Sequence, residues 1–400
     1  MAITDKEKGV WGIDQVYNKI NQGSIWEYSS NVLPLYSWGY NNQGALGQNN
    51  KTKYSSPVQV GSDTTWAQIG AGTEGSSCVI KNDGTLWTWG QGSYGVLGHS
   101  QSNADAAAAK STPNQLPGTT WNEVAGQQQG MYAVKTDGTL WSWGIGSYGT
   151  LGQNNNVQYS SPVQVGSDTT WNKPVVSNAS VGGAIKTDGT LWTWGRNDDG
   201  MLGHNQPGNS HRSSPVQVGS DTTWAYASIG REACLATKTD GTLWTWGKAG
   251  QGALGQNAPG NSHRSSPVQI PGATWATGTG SISASDEFSV AIKSDGTMWA
   301  WGLNEHGQLG HNEGSNKHKS SPVQVPGTTW RSVFCGRFNT FATKTDGTMW
   351  SWGYGSRSST ALLAQNNQVS YSSPVQIGSE TDWHTNIGGS MFATLGMRMS

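Results

Sequence analysis

Apolar and polar positions alternate through short stretches along the whole chain, and the alternation returns at a nearly fixed interval. Leu86-Trp87-Thr88-Trp89 is one such stretch. A period of two built from aromatic and β-branched residues predicts a half-buried strand. The phrase Trp-x-Trp-Gly, or Tyr-x-Trp-Gly, occurs seven times, its second aromatic falling at Trp38, Trp89, Trp143, Trp194, Trp246, Trp301 and Trp352. The spacings are 51, 54, 51, 52, 55 and 51 residues. A repeat of this length indicates a stacked or closed array of supersecondary units.

Each unit reads as four short strands. After the aromatic strand comes Pro57-Val58-Gln59-Val60, with proline expected at the first strand position, where a missing N–H is tolerated. Equivalent prolines stand at 162, 215, 267, 322 and 374, and the second copy is degraded to Thr112-Pro113-Asn114-Gln115. A third strand starts at a tryptophan: Trp66, Trp121, Trp171, Trp224, Trp275, Trp330 or Trp383. These series take 20 of the 22 tryptophans. A fourth strand, Cys78 to Lys81, joins the next aromatic strand through Asn82-Asp83-Gly84-Thr85. Asp-Gly between strands predicts a hairpin with a type I′ turn. Six such turns are present, with aspartates 83, 137, 188, 240, 295 and 346.

The two ends complement each other. Leu35 to Trp38 has no Asp-Gly turn before it, and Met391 to Gly396 has none after it. Pairing Phe392–Leu395 with Leu35–Trp38 would complete the seventh hairpin and remove two sheet edges. The expected fold is therefore all-β: a seven-bladed β-propeller of four-stranded blades over residues 34–400, closed by its terminal strands and preceded by an extension over 1–33. A chain of 400 residues would otherwise suggest two or three domains.

Charged residues are only 12 % of the chain, yet mean hydropathy is -0.55 and no apolar run approaches a membrane span. Membrane insertion is not expected. Net charge is -1, and the 24 lysines and arginines are scattered, which argues against nucleic-acid binding. Cys78, Cys234 and Cys335 are far apart and odd in number, so reduced, buried thiols are expected. The N-terminus leads into no apolar segment, so the chain is expected to be made and folded in a cytoplasm without a secretory signal.

The phrase Trp-Gly-Tyr40-Asn41-Asn42-Gln43-Gly44-Ala45-Leu46-Gly47 recurs as Trp-Gly-Leu303-Asn304-Glu305-His306-Gly307-Gln308-Leu309-Gly310. This resembles the regulator of chromosome condensation repeat family, over about residues 34–400. The seventh copy departs from it, with Arg357 to Ala364 in place of Gly-x-Leu-Gly. The resemblance implies the propeller fold. It leaves function open, because that fold hosts exchange factors, ubiquitin-ligase partners, lectin-like binders and inhibitors.

In the first 33 residues, Ile13, Val16, Tyr17 and Ile20 fall at helical spacing, Asp14 could cap the helix and Gly23 could end it. Trp11, Trp26 and Tyr28 flank this stretch. Lys8-Gly9-Val10-Trp11-Gly12 through Trp26-Glu27-Tyr28 is similar to N-terminal peptides of structural proteins in marine tailed bacteriophages. That resemblance implies docking to a particle. A helix packed on its own propeller is the alternative.

No phosphate-binding loop is present; Gly144-Ile145-Gly146 and its relatives are turns. Asp198-Asp199 and Asp286-Glu287 have no partner arranged by sequence. His204 and His211, and His311 and His318, are seven apart, which is not a zinc pattern. No catalysis, metal or cofactor is expected. The loops before the Ser-Pro-Val-Gln strands should ring one face, and they carry Tyr54, Tyr159, His211, Arg212, His263, Arg264, His318 and Tyr371. Amides, hydroxyls and flat aromatics there suit a glycan; the alternative is that they are solvated loop residues with no ligand. The insertion Ser100–Lys110 should protrude.

The sequence thus points to a non-enzymatic virion protein of a bacteriophage, a tail fibre, adhesin or decoration protein. It would meet other virion proteins through residues 1–33 and a host glycan or receptor through its loops. The alternative is a soluble lectin-like or scaffold propeller that mediates protein–protein contact. An exchange factor would need a protruding wedge and acidic contacts that the sequence does not locate.

Overall fold

Four antiparallel strands form from each repeat, for example Trp66–Gly70, Ser76–Lys81, Leu86–Gly90 and Lys110–Gln115. The computed structural model describes residues 32–70, 75–101, 109–127, 129–177, 179–206, 208–257, 262–358, 360–389 and 392–399. Seven such sheets form the blades. The innermost strands lie against one another around the axis, and six of them start at the expected tryptophan. Trp275 instead makes only an isolated bridge to Lys293, and the innermost strand of its blade is Ile282–Ala284. The Ser-Pro-Val-Gln strands lie outermost.

One blade is shared by the chain ends. Leu35–Gly39 pairs with Ala393–Arg398 in the register Leu35↔Met397, Ser37↔Leu395 and Gly39↔Ala393. The expected closure is present, with the last strand starting one residue later than expected and running to Arg398. Phe392 precedes it, and its carbonyl accepts the Tyr40 N–H at 2.8 Å.

Three local expectations are corrected. The Asp-Gly hairpins are not type I′: Gly84 is left-handed at φ +75, but Asp83 is not among the residues of positive φ. The Gly84 N–H bonds back to Lys81 O at 3.0 Å, so a type I turn is completed by a glycine bulge, the other common short hairpin. The outermost strands begin earlier than their prolines. Tyr54–Gln59 holds Pro57 in mid-strand, within a break in register between Ser37↔Val58 and Gly39↔Tyr54. An edge strand with a bulge can spare that N–H. The third innermost strand, Trp171–Pro174, stops at the proline, and Val176–Ser177 pairs in parallel with the next blade's Trp224–Ile229.

The core lies between blades. Trp38, Trp89, Trp143, Trp194, Trp246, Trp301 and Trp352 are fully buried. An indole of this kind buries about 150–250 Å², on the order of 4–6 kcal/mol of transfer energy. Six of them also donate Nε1–H to a carbonyl of the preceding repeat: Trp89 to Ala45 at 2.8 Å, and Trp143, Trp194, Trp246, Trp301 and Trp352 to Val96, Thr150, Met201, Ala253 and Gln308. The acceptor sits inside the Gly-x-Leu-Gly phrase. That explains why the phrase recurs.

A second device fixes each blade at its edge. Lys81 Nζ lies 4.7 Å from the Trp66 ring and 3.9 Å from the Trp87 ring, and pairs with Asp63 at 2.5 Å. Lys135, Lys186, Lys238, Lys293 and Lys344 sit over equivalent tryptophan pairs. In the closing blade Arg398 takes the place of the lysine, over Tyr36 and Trp383. Such cation–aromatic contacts strengthen where water is partly excluded. The Lys-x-Asp-Gly phrase announces them in the sequence.

Candidate functional site: the loop face

Strand direction divides the molecule into two faces. The Asp-Gly turns and the loops that link one blade to the next, such as 60–65, form one, the turn face. The first and last described strands begin and end there: Leu33 N–H bonds to Thr64 O at 2.6 Å, and Met399 N–H bonds to Asp382 O at 2.7 Å. The opposite face carries the loops after each Trp-Gly and those between the two inner strands of each blade.

On the loop face, each residue after Trp-Gly donates its N–H to the facing inner loop. The pairs are Tyr40 to Phe392, Gln91 to Gly75, Ile145 to Gln129, Arg196 to Ser180, Lys248 to Glu232, Leu303 to Glu287 and Tyr354 to Phe338. The backbone repeats seven times, but the side chains do not. Glycine, isoleucine and amides occupy the blades that follow the closing one. Ions and aromatics occupy the rest.

The tyrosines and histidines expected to contact a ligand do lie on this face, where they brace their own loops. The Tyr54, Tyr159 and Tyr371 hydroxyls accept from Asn50, Asn155 and Asn367 at 3.1, 3.0 and 3.0 Å. His211, His263 and His318 each accept a backbone N–H at Nδ1, from Asn197, Ala249 and Asn304 at 2.9, 3.1 and 2.9 Å. Their Nε2 therefore carries the hydrogen. His211 Nε2 lies 3.8 Å from Asp198, and the ring packs edge-on against Tyr148 at 5.0 Å. Arg212 and Arg264 begin outermost strands and are half-buried. His204 and His311 lie below, where Nε2 donates to Val216 O and Val323 O at 3.1 Å. Burial lowers His204 to about 4.

The acid pairs have partners that the sequence did not announce. Asp286 is buried on the loop face, with Arg337 Nε at 3.1 Å and Arg231 at 3.8 Å. Burial nonetheless raises its pKa above the usual carboxylate range; the two arginines offset only part of that cost, and Glu232 adds to it. Glu232 pairs with Lys248. Arg231, Glu232 and Lys248 border a cavity of about 260 Å³ that Arg196, Asp198 and Asp199 also line. Arg196 pairs with Asp198 and lies 5.1 Å over Tyr148.

A second cluster spans the seam between the last repeat and the first. Phe392 and Tyr40 stack edge-on at 6.4 Å, and the Arg357 guanidinium lies 3.3 Å from the Phe392 ring centre. Next to it Phe338, Tyr354 and His306 pack together, with His306 4.5 Å from Tyr354 and Arg337 5.0 Å over Phe338. The axial channel, about 410 Å³, is lined by Gln68, Glu123, Tyr226, His384 and Asn386 among others. Gln68 and Asn386 are spent on the backbones of neighbouring blades, at Val124 and Ala67.

Among the described residues, no group of three His, Cys, Asp or Glu could hold a metal ion, and no helix is long and apolar enough to cross a membrane. The three cysteines are free and buried, and burial alone pushes Cys78 up to about 12. Residues Trp11, Ile13, Val16, Tyr17, Ile20, Trp26 and Tyr28 lie outside the described residues, as does most of the 100–110 insertion.

Seven sequential blades, closed by pairing the two chain ends and bound by an indole-to-carbonyl bond between repeats, define a closed repeat propeller. The chain belongs to the regulator of chromosome condensation (RCC1) repeat family, whose model matches residues 34–79, 83–126, 137–184, 188–237, 240–292 and 295–343. The human E3 ubiquitin-protein ligase HERC2 is 28 % identical over 335 residues, covering 80 % of this chain but only 7 % of the ligase. The mitochondrial RCC1 domain-containing protein RUG3 of Arabidopsis thaliana is 25 % identical, covering 80 % of this chain and 78 % of its own length. Among solved structures, Prp20p of Saccharomyces cerevisiae superposes with a TM-score of 0.77 at 18 % identity, covering 93 % of each chain.

Proposed function

We propose that this chain is a protein-binding propeller, a scaffold that presents its loop face to a protein partner and does no chemistry of its own. One observation carries the reading: at the seven equivalent backbone pairs on that face, a charged or aromatic side chain stands in every pair of one continuous arc, from Arg196 through Glu232 and Glu287 to Tyr354 and Tyr40, and in neither of the other two. Repetition alone would spread them evenly. The described chain enters the propeller at Leu33 and leaves it at Met399, both on the turn face. The relatives support the same reading. Prp20p is described with its binding to Gsp1p and histones, both proteins. The test is capture of the tagged full chain from its source cells, followed by cross-linking. Cross-links from Lys53 and Lys248 to one partner in fixed ratio support the proposal. Cross-links confined to the turn face contradict it.

A finer reading makes the partner set viral. Residues 8–28 resemble phage docking peptides, and the extension enters the propeller at Leu33 on the turn face. A chain anchored there in a virion would point its loops outward, toward a host receptor or glycan. Mass spectrometry of density-purified particles tests this. Fixed stoichiometry with capsid or tail proteins supports it, and absence from clean particles removes it.

A further inference from the structure

The seventh repeat breaks the Gly-x-Leu-Gly phrase, and the substitute is a small hairpin, Ser356–Arg357 paired with Thr360–Ala361. It is pinned across the seam to the first repeat. Lys53 Nζ donates to Ser358 O at 2.8 Å, and Ser55 Oγ donates to Asn366 Oδ1 at 2.7 Å. The hairpin holds the Arg357 guanidinium over the Phe392 ring, 3.3 Å from its centre, and within 5.7 Å of Tyr40, whose ring also carries Lys53 at 5.1 Å.

Among the described residues Arg357 has no ion-pair partner, in contrast to Arg196, Arg231, Arg337 and Arg398. Partial burial, with Arg337 nearby, holds its guanidinium below the usual arginine range. Two cations therefore share one aromatic platform with no acid between them. A guanidinium stacked on a ring keeps its edge N–H groups free and fixes their direction. Such a fork matches a carboxylate in two parallel hydrogen bonds.

We propose that the seam between the seventh and first repeats, built on Arg357, Phe392, Tyr40 and Lys53, is a carboxylate-binding site for an acidic segment of a partner protein. The proposal rests on the protein-binding reading above and names the chemistry of its partner.

The test uses the full chain and a labelled oligo-glutamate peptide, titrated by fluorescence anisotropy from low to physiological ionic strength. Saturable binding that weakens with salt is expected, with at least about a tenfold loss in Arg357→Ala. Arg357→Lys should fall between the two, because it keeps the charge and loses the fork. Arg331→Ala, on an exposed arginine near the turn face, should bind as the unaltered chain does. Equal binding of oligo-glutamine, or unchanged binding by Arg357→Ala, overturns the site. A captured partner held equally by the unaltered chain and Arg357→Ala also overturns it, while leaving the protein-binding reading intact. Failure to capture any partner, with oligo-glutamate binding still lost in Arg357→Ala, removes that reading and keeps the site.

Discussion

The Asn366 backbone N–H donates to the Ser55 carbonyl at 3.0 Å, across the seam where the last repeat meets the first. The same bond joins Asn49 to Ser111, Ser100 to Ser160, Asn154 to Ser213, Asn205 to Ser265, Asn257 to Ser320 and Asn312 to Ser372. In all seven the donor has positive φ, from +50 to +60. The seam thus keeps the backbone bond of every other blade junction, although 311 residues separate its partners. Closure should therefore be required for the whole ring. Removing residues 393–400 should abolish the single cooperative urea transition and expose an edge that aggregates. Leu395→Ala, at a fully buried position, should keep the fold and cost about 2–5 kcal/mol. A truncated chain that melts cooperatively at the unaltered midpoint would show that closure adds nothing.

Trp38 and Trp89 are equivalent by repeat and equally buried, but they differ in one bond. Trp89 donates to Ala45 O at 2.8 Å, whereas Trp38 Nε1 has no acceptor among the described residues. The seventh repeat, which would supply it, has Ala361-Leu362-Leu363-Ala364 where the others have Gly-x-Leu-Gly. Trp89→Phe should then cost about 1 kcal/mol more than Trp38→Phe in chemical denaturation, the net value of a buried hydrogen bond. Equal costs would mean that the bond between repeats contributes nothing.

His204 makes stability depend on pH. In the folded chain burial holds it at about 4, while an unfolded histidine titrates near about 6.5. Below about pH 6.5 the unfolded chain takes up a proton that the folded chain refuses, so stability falls until the pH reaches about 4. Gln48 fills the equivalent position in the first repeat, and its Nε2 donates to Val58 O at 3.1 Å as His204 does to Val216 O. His204→Gln should keep that bond and flatten the slope of melting temperature between those two pH values. An unchanged slope would assign the acid sensitivity elsewhere.

What could be read from the letters follows from what repeats. Trp-x-Trp-Gly, Ser-Pro-Val-Gln and Asp-Gly each mark a backbone requirement met many times over, so blade number, strand order and closure were legible. The turn type was not, because Asp-Gly suits two hairpins, and the choice depends on how Lys81 and Thr85 meet across the strands. The loop residues show the limit of reasoning from type. His211 and Tyr54 lie on the expected face, but a sequence does not tell whether a ring nitrogen or hydroxyl turns outward or back onto its own loop. Asp286 looked isolated because Arg231 and Arg337 lie 55 and 51 positions away in the chain, one repeat to either side. Arg357 was visible only as a departure from the repeat. That departure carries the site proposed at the seam.

Hydrogen–deuterium exchange on the full chain, alone and bound to its captured partner, tests the central claim most directly. Protection should concentrate at Gly39–Asn42, Arg337–Asn339 and Tyr354–Arg357 on the loop face, with the Asp-Gly turns at 82–85 and 187–190 unchanged. Protection confined to those turns and to the 60–65 loop, with the loop face exchanging as freely as before, would contradict the account.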